Sequence, residues 1–185
     1  EVQIDKFYGA RGETLLQKME QNWDRAENAF QELRDFMVHS LRLHSDRLIS
    51  SYNALIPLFD YLYLHPQPNE ASRVLMVAYF HKAQLFGWFG GQSDTTLNGL
   101  HSTLTKATGN SFPLQDIKNY ISTSRYAQVE LQETNLNESR LRPLLLNIVY
   151  TNAWGNSPFD VAFKGNEPHI DHIYPQYMLR THLGY

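Results

Sequence analysis

The sequence predicts a mainly α-helical protein, a multi-helix, bundle-like domain that ends in a short irregular or β segment. Apolar residues recur at three- and four-residue spacing along most of residues 1–154, and strand patterns are nearly missing there. Clusters of Pro, Gly and Asn divide these helical stretches with short loops. The 185 residues are 42% hydrophobic and 19% charged, which allows a substantial core and differs from a disordered chain. We therefore expect roughly seven helices.

The first predicted helix begins near Glu13 and carries a long apolar stripe. Thr14 and Gln17 have the spacing of a capping box, in which each side chain satisfies a free backbone N–H. We expect the stripe to pack against other helices rather than to bind a cofactor. Its members are Leu15, Leu16, Met19, Trp23, Ala26, Phe30, Leu33, Phe36 and Met37.

The later helices are delimited by residues that start or break helices. Pro57 suits the first turn of a helix, Asn69 suits an N-cap, and Gly90–Gly91 suits a helix end. Ser93 is expected to cap another helix, and Pro143 to lie near the start of the last one. The expected spans are 53–64, 70–89, 93–109, 114–121, 126–133 and 137–154.

Composition excludes several classes of site. Cysteine is absent, so there is no disulfide framework, thiolate nucleophile or cysteine zinc site. The net charge of -3 is unlike that of a protein that grips a phosphate backbone by itself. The glycines at 87–91 lack the Lys and Ser/Thr of a phosphate-binding loop. No signal peptide or membrane span is visible, so we expect a cytoplasmic protein without a membrane partner.

Residues 168–179 (PHIDHIYPQYML) carry the strongest chemical signal, in a stretch where helical periodicity stops. Asp171 offers a hard oxygen ligand for Mg²⁺, and the neighbouring His172 is a suitable general base near neutral pH. Phosphodiester hydrolysis uses both groups. Two other interpretations remain open: a zinc site from His169, Asp171, His172 and His182, or purely local bonding of a loop.

The string His169-Ile170-Asp171-His172-Ile173-Tyr174-Pro175-Gln176 resembles the first half of an HNH (ββα-metal) nuclease motif of the DUF1524 type. Residues 48–58 and 87–100, with Gly91-Gln92-Ser93-Asp94, resemble the helical part of DUF262 proteins. This order is that of GmrSD-like enzymes, which are modification-dependent restriction endonucleases of anti-phage defence. The resemblance implies residues 1–154 as the helical DUF262-like domain and 155–185 as the start of the HNH segment.

By the same resemblance, Asp171 is a metal ligand, His172 is the catalytic base, and His169 is a possible accessory residue. The implied cofactor is Mg²⁺ or Mn²⁺, and the implied substrate of the parent enzyme is DNA. The second half of the HNH site and the Asp-Gly-Gln-Gln-Arg-like motif of the ParB-like domain are not in the sequence. We therefore expect an internal piece with little activity of its own. Its partners would be the missing N-terminal ParB-like domain and the nuclease remainder.

Two non-catalytic functions compete with this interpretation. The helical part could be an interaction or transmission module between a nucleotide-using domain and an effector. Alternatively, the aromatic residues, which are 13% of the chain, could stack on the bases of a nucleic acid.

Overall fold

The computed structural model describes residues 9–91, 93–107, 109, 111–130, 132 and 138–155. In these ranges the fold is mainly helical, as the sequence predicts, with seven α-helices and no strand. The irregular or β segment predicted for the C-terminal end lies outside the described residues, apart from Gly155. None of the described helices is long and apolar enough to cross a membrane. The helices are α1 (Gly9–Gln21), α2 (Trp23–Asp35), α3 (Ile56–Leu64), α4 (Glu70–Leu85), α5 (Ser93–Lys106), α6 (Leu114–Ser124) and α7 (Arg142–Trp154).

The long helix expected from Glu13 starts earlier and is divided in two. Because α1 already begins at Gly9, Thr14 lies inside the helix, and the predicted capping box at Thr14 and Gln17 is wrong. Asn22 interrupts the helix with φ -108° and ψ 8°.

Backbone hydrogen bonds nevertheless cross the junction at Asn22. Its N–H donates to the carbonyls of Lys18 and Met19, and its carbonyl accepts from the N–H of Ala26 at 3.0 Å. After α2, a π-helical turn at Phe36–Ser40 closes with the Leu41 N–H donating to the Phe36 carbonyl at 3.0 Å. The helical path therefore runs from Gly9 to Leu41 with one irregularity in its middle and a widened turn at its end.

Several of the predicted helix boundaries are confirmed. Asn69 caps α4, because its side chain accepts from the Ser72 N–H at 2.8 Å. Pro57 lies in the first turn of α3, where its missing N–H leaves no hydrogen bond unmade. The helix expected to reach residue 89 ends at Leu85 instead, and Gly87 follows with φ 62°.

The helix predicted over 126–133 is wrong for its described residues, since 126–130 form irregular chain. Tyr126 has φ 52°, which interrupts helical geometry at the start of the segment. Two side chains then bind backbone carbonyls of this segment. The Trp88 indole donates to the Gln128 carbonyl at 2.7 Å, and the Lys82 ammonium donates to the Val129 carbonyl at 3.0 Å. These tertiary bonds use carbonyls that a helix would need for itself.

The core lies between α2, α3, α4, α5 and α6. Its aromatic centre is Tyr79, whose ring centroid lies 5.9 Å from that of Trp88 and 5.5 Å from that of Phe112. Gly99 allows α5 and α6 to approach closely, because a Cβ at this position would overlap the Tyr120 ring. The Tyr120 hydroxyl donates to the Thr95 carbonyl at 3.2 Å.

A buried amide ties α4 to the segment before α3. The Gln84 side chain is fully buried, and its oxygen accepts from the backbone N–H groups of Ser50 at 2.8 Å and Ser51 at 2.9 Å. Its amide nitrogen donates to the Ser51 carbonyl at 2.8 Å. The Gln84 amide thus satisfies three backbone groups, two N–H groups and one carbonyl, that have no helical hydrogen-bond partner in this segment.

The last described helix, α7, packs against the chain that follows the π-helical turn. The buried amide of Asn147 donates to the Leu41 carbonyl at 3.2 Å. Leu141 and Leu144 form a second, smaller apolar cluster with Leu85 of α4. Gly155 ends the helix with φ 73°, and its N–H donates to the Thr151 carbonyl at 3.0 Å.

Candidate functional site

The site residues predicted from the sequence, His169, Asp171 and His172, lie outside the residues that the structure describes, as does His182. Their assignment stays a prediction of the sequence. Across the described ranges, no three His, Asp or Glu side chains come together as a metal-binding group. Two surface features stand out there instead: an apolar face on the first two helices and a polar groove between α3 and α5.

The apolar face, called here the α1–α2 face, consists of Leu16, Met19, Trp23 and Phe30. These side chains are 51%, 47%, 61% and 60% exposed, respectively. They belong to the stripe that the sequence predicted to pack on other helices. That prediction is correct for Leu33, which is buried, and for Phe30, which is exposed on one side but packs on Phe59 of α3. It is wrong for Leu16, Met19 and Trp23, which no described helix covers.

The face continues across the junction between the helices. Met19 of α1 and Trp23 and Ala26 of α2 line one depression of about 280 Å³, whose wall is completed by Lys18, Asn22 and Tyr63. At the C-terminal end of the face, the centroid of the Phe30 ring lies 4.3 Å from that of the Phe59 ring of α3. The break at Asn22 therefore leaves one continuous apolar surface.

The two borders of the face differ in charge. Glu13, Glu20 and Glu27 are exposed and seven residues apart, so they form one acidic column along one border. On the other border, Arg25 is turned toward α3. Its Nε donates to the Tyr63 carbonyl at 2.7 Å, and its guanidinium lies 4.3 Å from the centre of the Tyr63 ring.

The groove between α3 and α5 has a hydrogen-bonded pair of His101 and Asp60 at its rim. His101 Nδ1 lies 2.7 Å from Asp60 Oδ2, with His101 62% and Asp60 21% exposed. The groove encloses about 300 Å³, and its remaining lining is Ile56, Pro57, Phe59, Leu97 and Asn98.

The Asp60 carboxylate orients the His101 ring and leaves its Nε2 available for a hydrogen bond or a proton transfer. The residues that line the groove carry no hydroxyl or thiol that such a base could activate as a nucleophile. The pair alone therefore supports orientation of a polar group more readily than covalent catalysis.

Comparisons of the chain with protein-family models, with curated proteins and with solved structures find no match. The likeness to DUF262 and DUF1524 proteins therefore rests on the sequence stretches that carry it.

Sequence reasoning missed both features for different reasons. The seven-residue spacing of Glu13, Glu20 and Glu27 was a readable sign that the first helix presents a face to another helix. His101 and Asp60 are separated by 41 residues, and only the packing of α5 on α3 brings them together.

Proposed function

We propose that residues 9–155 form a helical interaction and transmission module, and that Asp171 and His172 contribute a metal ligand and a general base to a DNA-cleaving site whose second half these 185 residues do not supply. The observation that carries the module is the exposure of Leu16, Met19 and Trp23 on one continuous surface. Contiguous large apolar side chains on a protein surface mark sites where another molecule docks. Trp in particular is enriched among the residues that dominate binding energy.

A direct physical connection supports transmission from this face toward the C-terminal segment. Helix α2, which carries Trp23 and Phe30, runs directly into the π-helical turn at Phe36–Ser40, and Leu41 follows this turn. The Leu41 carbonyl accepts the buried hydrogen bond from Asn147 of α7, and α7 is the helix that leads to residue 156. A partner that shifts α2 along its axis would therefore shift the hydrogen-bonded position of α7.

The cleavage part of the proposal is supported by the order Asp171-His172-Ile173-Tyr174-Pro175-Gln176. Mg²⁺ or Mn²⁺, when bound, supplies positive charge for the oxygens of the scissile phosphate. Asp171 provides a carboxylate for the ion, and His172 takes the proton of the attacking water. The pair thus performs separate tasks from adjacent positions.

Plasmid nicking tests the cleavage part on the protein encoded by the complete open reading frame that contains these 185 residues. With Mg²⁺ or Mn²⁺ present, His172→Ala should lower the cleavage rate by about 10²–10⁴-fold, the usual contribution of a general base. Asp171→Asn should make the cleavage rate depend less strongly on the metal concentration. Cleavage that survives both substitutions contradicts the proposed roles.

The transmission part has a matched pair of variants on α7. Asn147→Ala removes the bond to Leu41, whereas Asn152→Ala removes a bond within the helix, from the exposed Asn152 amide to the Ile148 carbonyl. We expect Asn147→Ala to change the nicking rate by about fivefold or more in a protein that is still folded, the lower end of usual coupling. Equal rates for the two variants would mean that this connection does not transmit.

A further inference from the structure

We infer that the α1–α2 face binds an amphipathic α-helix whose apolar stripe is bordered by Lys or Arg. This inference rests on the interaction part of the proposed function and names the chemistry of the partner. Three observations carry it: the spacing of the apolar side chains, the acidic column beside them, and the depression around Trp23.

The spacing of the face fits a helix as the occupant. Leu16, Met19, Trp23, Ala26 and Phe30 alternate at three and four residues, which is the heptad spacing of a helix that packs along another helix. A row with this spacing contacts a partner helix through side chains at positions i, i+3, i+4 and i+7. A flat sheet edge or a small ligand would not use the full length of such a row.

The charge beside the row selects the partner. Glu13, Glu20 and Glu27 occupy the heptad position next to the apolar seam, where facing helices form ion pairs across their interface. Asp24 lies close to the same border and is also exposed. A partner with basic residues at its flanking positions would pair with this border, and an acidic partner would be repelled.

The same charges argue against a second copy as the occupant. A copy offers its own acidic column, and on its other border Arg25 is turned toward its own α3 and Tyr63. Among the side chains that the structure describes, Lys18 is then the cation of that border that faces the three glutamates of the other copy. The C-terminal stretch 156–185 also lacks the required charge, because its acidic residues outnumber its basic ones. They are Asp160, Glu167 and Asp171 against Lys164 and Arg180.

The depression beside Trp23 gives the partner helix a place for one anchoring side chain. The residues that line it are Lys18, Met19, Asn22, Trp23, Ala26 and Tyr63. At about 280 Å³ it is large enough for a Leu or Phe side chain, and Trp23 would become covered when the helix docks.

Two synthetic 21-residue peptides test the inference on the 185-residue chain. The basic peptide has Leu at both apolar heptad positions and Lys at both flanking positions, and the acidic peptide has Glu in place of Lys. Fluorescence anisotropy of the labelled peptides, at low and moderate salt, measures binding. We expect the basic peptide to bind at least about tenfold more tightly than the acidic one, with affinity falling as salt rises.

Variants separate docking on this face from general attraction between opposite charges. Trp23→Ala should lower the affinity for the basic peptide at least about tenfold. Circular dichroism should show an unchanged helix content, because Trp23 is exposed. The pair Glu20→Gln with Glu27→Gln should reduce the salt dependence. The pair Glu70→Gln with Asp116→Asn removes the same charge from α4 and α6 and should leave binding unchanged.

Equal affinity for the two peptides, or no effect of Trp23→Ala, would overturn the inference. Sedimentation that shows a dimer of the chain, dissociated by Trp23→Ala, would also overturn it, because the occupant would then be a second copy. The peptide measurement involves no DNA, so failure of the nicking experiments leaves it intact. Conversely, a nicking rate that depends on Asn147 without any peptide binding would retain transmission and refute only this partner.

Discussion

Gln84→Leu should destabilise the fold through the loss of three hydrogen bonds rather than through a change of volume. The amide of Gln84 accepts from Ser50 and Ser51 and donates to Ser51, with all three distances between 2.8 and 2.9 Å. Each such bond contributes about 0.5–1.5 kcal/mol, and partly buried groups left unpaired cost more, so the expected loss is about 2–4 kcal/mol. Leu fills nearly the same space, so little of this loss comes from a cavity.

Urea and thermal unfolding followed by circular dichroism measure this loss. For a domain of this size, it corresponds to a fall in the melting temperature of about 4–16 °C. Gln115→Leu is the matched control, because the exposed Gln115 amide bonds only the neighbouring turn at Asn119, 3.0 Å away, and should change stability by about 0.5 kcal/mol or less. If Gln84→Leu and Gln115→Leu were equally stable, the reasoning that the buried amide holds the segment before α3 would be refuted.

Three further predictions concern burial. Burial lowers the pKa of His81 to about 4, so the imidazole stays neutral in the folded state but takes up a proton in the unfolded state as the pH falls below 6.5. The free energy of unfolding should therefore fall by about 2 kcal/mol between pH 7 and pH 5. Urea titrations of His81→Leu should show a smaller fall over the same range. Gly99→Val should cost about 1–3 kcal/mol in urea unfolding because its side chain meets the Tyr120 ring; a stability equal to that of the parent would contradict the close packing of α5 on α6. Phe36→Ala should cost about 3–5 kcal/mol by calorimetry, whereas Trp23→Ala should cost less than about 1 kcal/mol; equal costs would mean that the exposed ring is not exposed in solution.

The sequence predicts the helices well where a local signal decides the structure. Asn69 caps α4 by its own side chain, and Pro57 suits the first turn of α3, so spacing and residue type are sufficient there. The segment after Tyr126 fails because Trp88 and Lys82, distant in sequence, bind its carbonyls. Such partners have no signature within a short window.

The candidate surface shows a different limit of sequence reasoning. Apolar spacing predicts that a stripe is covered, but it does not say by what. Leu33 is covered by this chain, while Trp23, on the same stripe, is not covered by any described part of it. The column of Glu13, Glu20 and Glu27 indicates that another molecule covers this part of the stripe, but only once the structure shows that the described part of the chain does not cover it.

Hydrogen exchange of the chain with and without the basic peptide tests the central claim most directly. The account predicts slower amide exchange in α1 and α2, from about Glu13 to Gln31, together with a smaller change in α7 near Asn147, which is bonded to Leu41. The same peptide should produce neither change in Trp23→Ala. Protection confined to other helices, or protection of α1 and α2 that persists in Trp23→Ala, would contradict the assignment of this face as the docking surface.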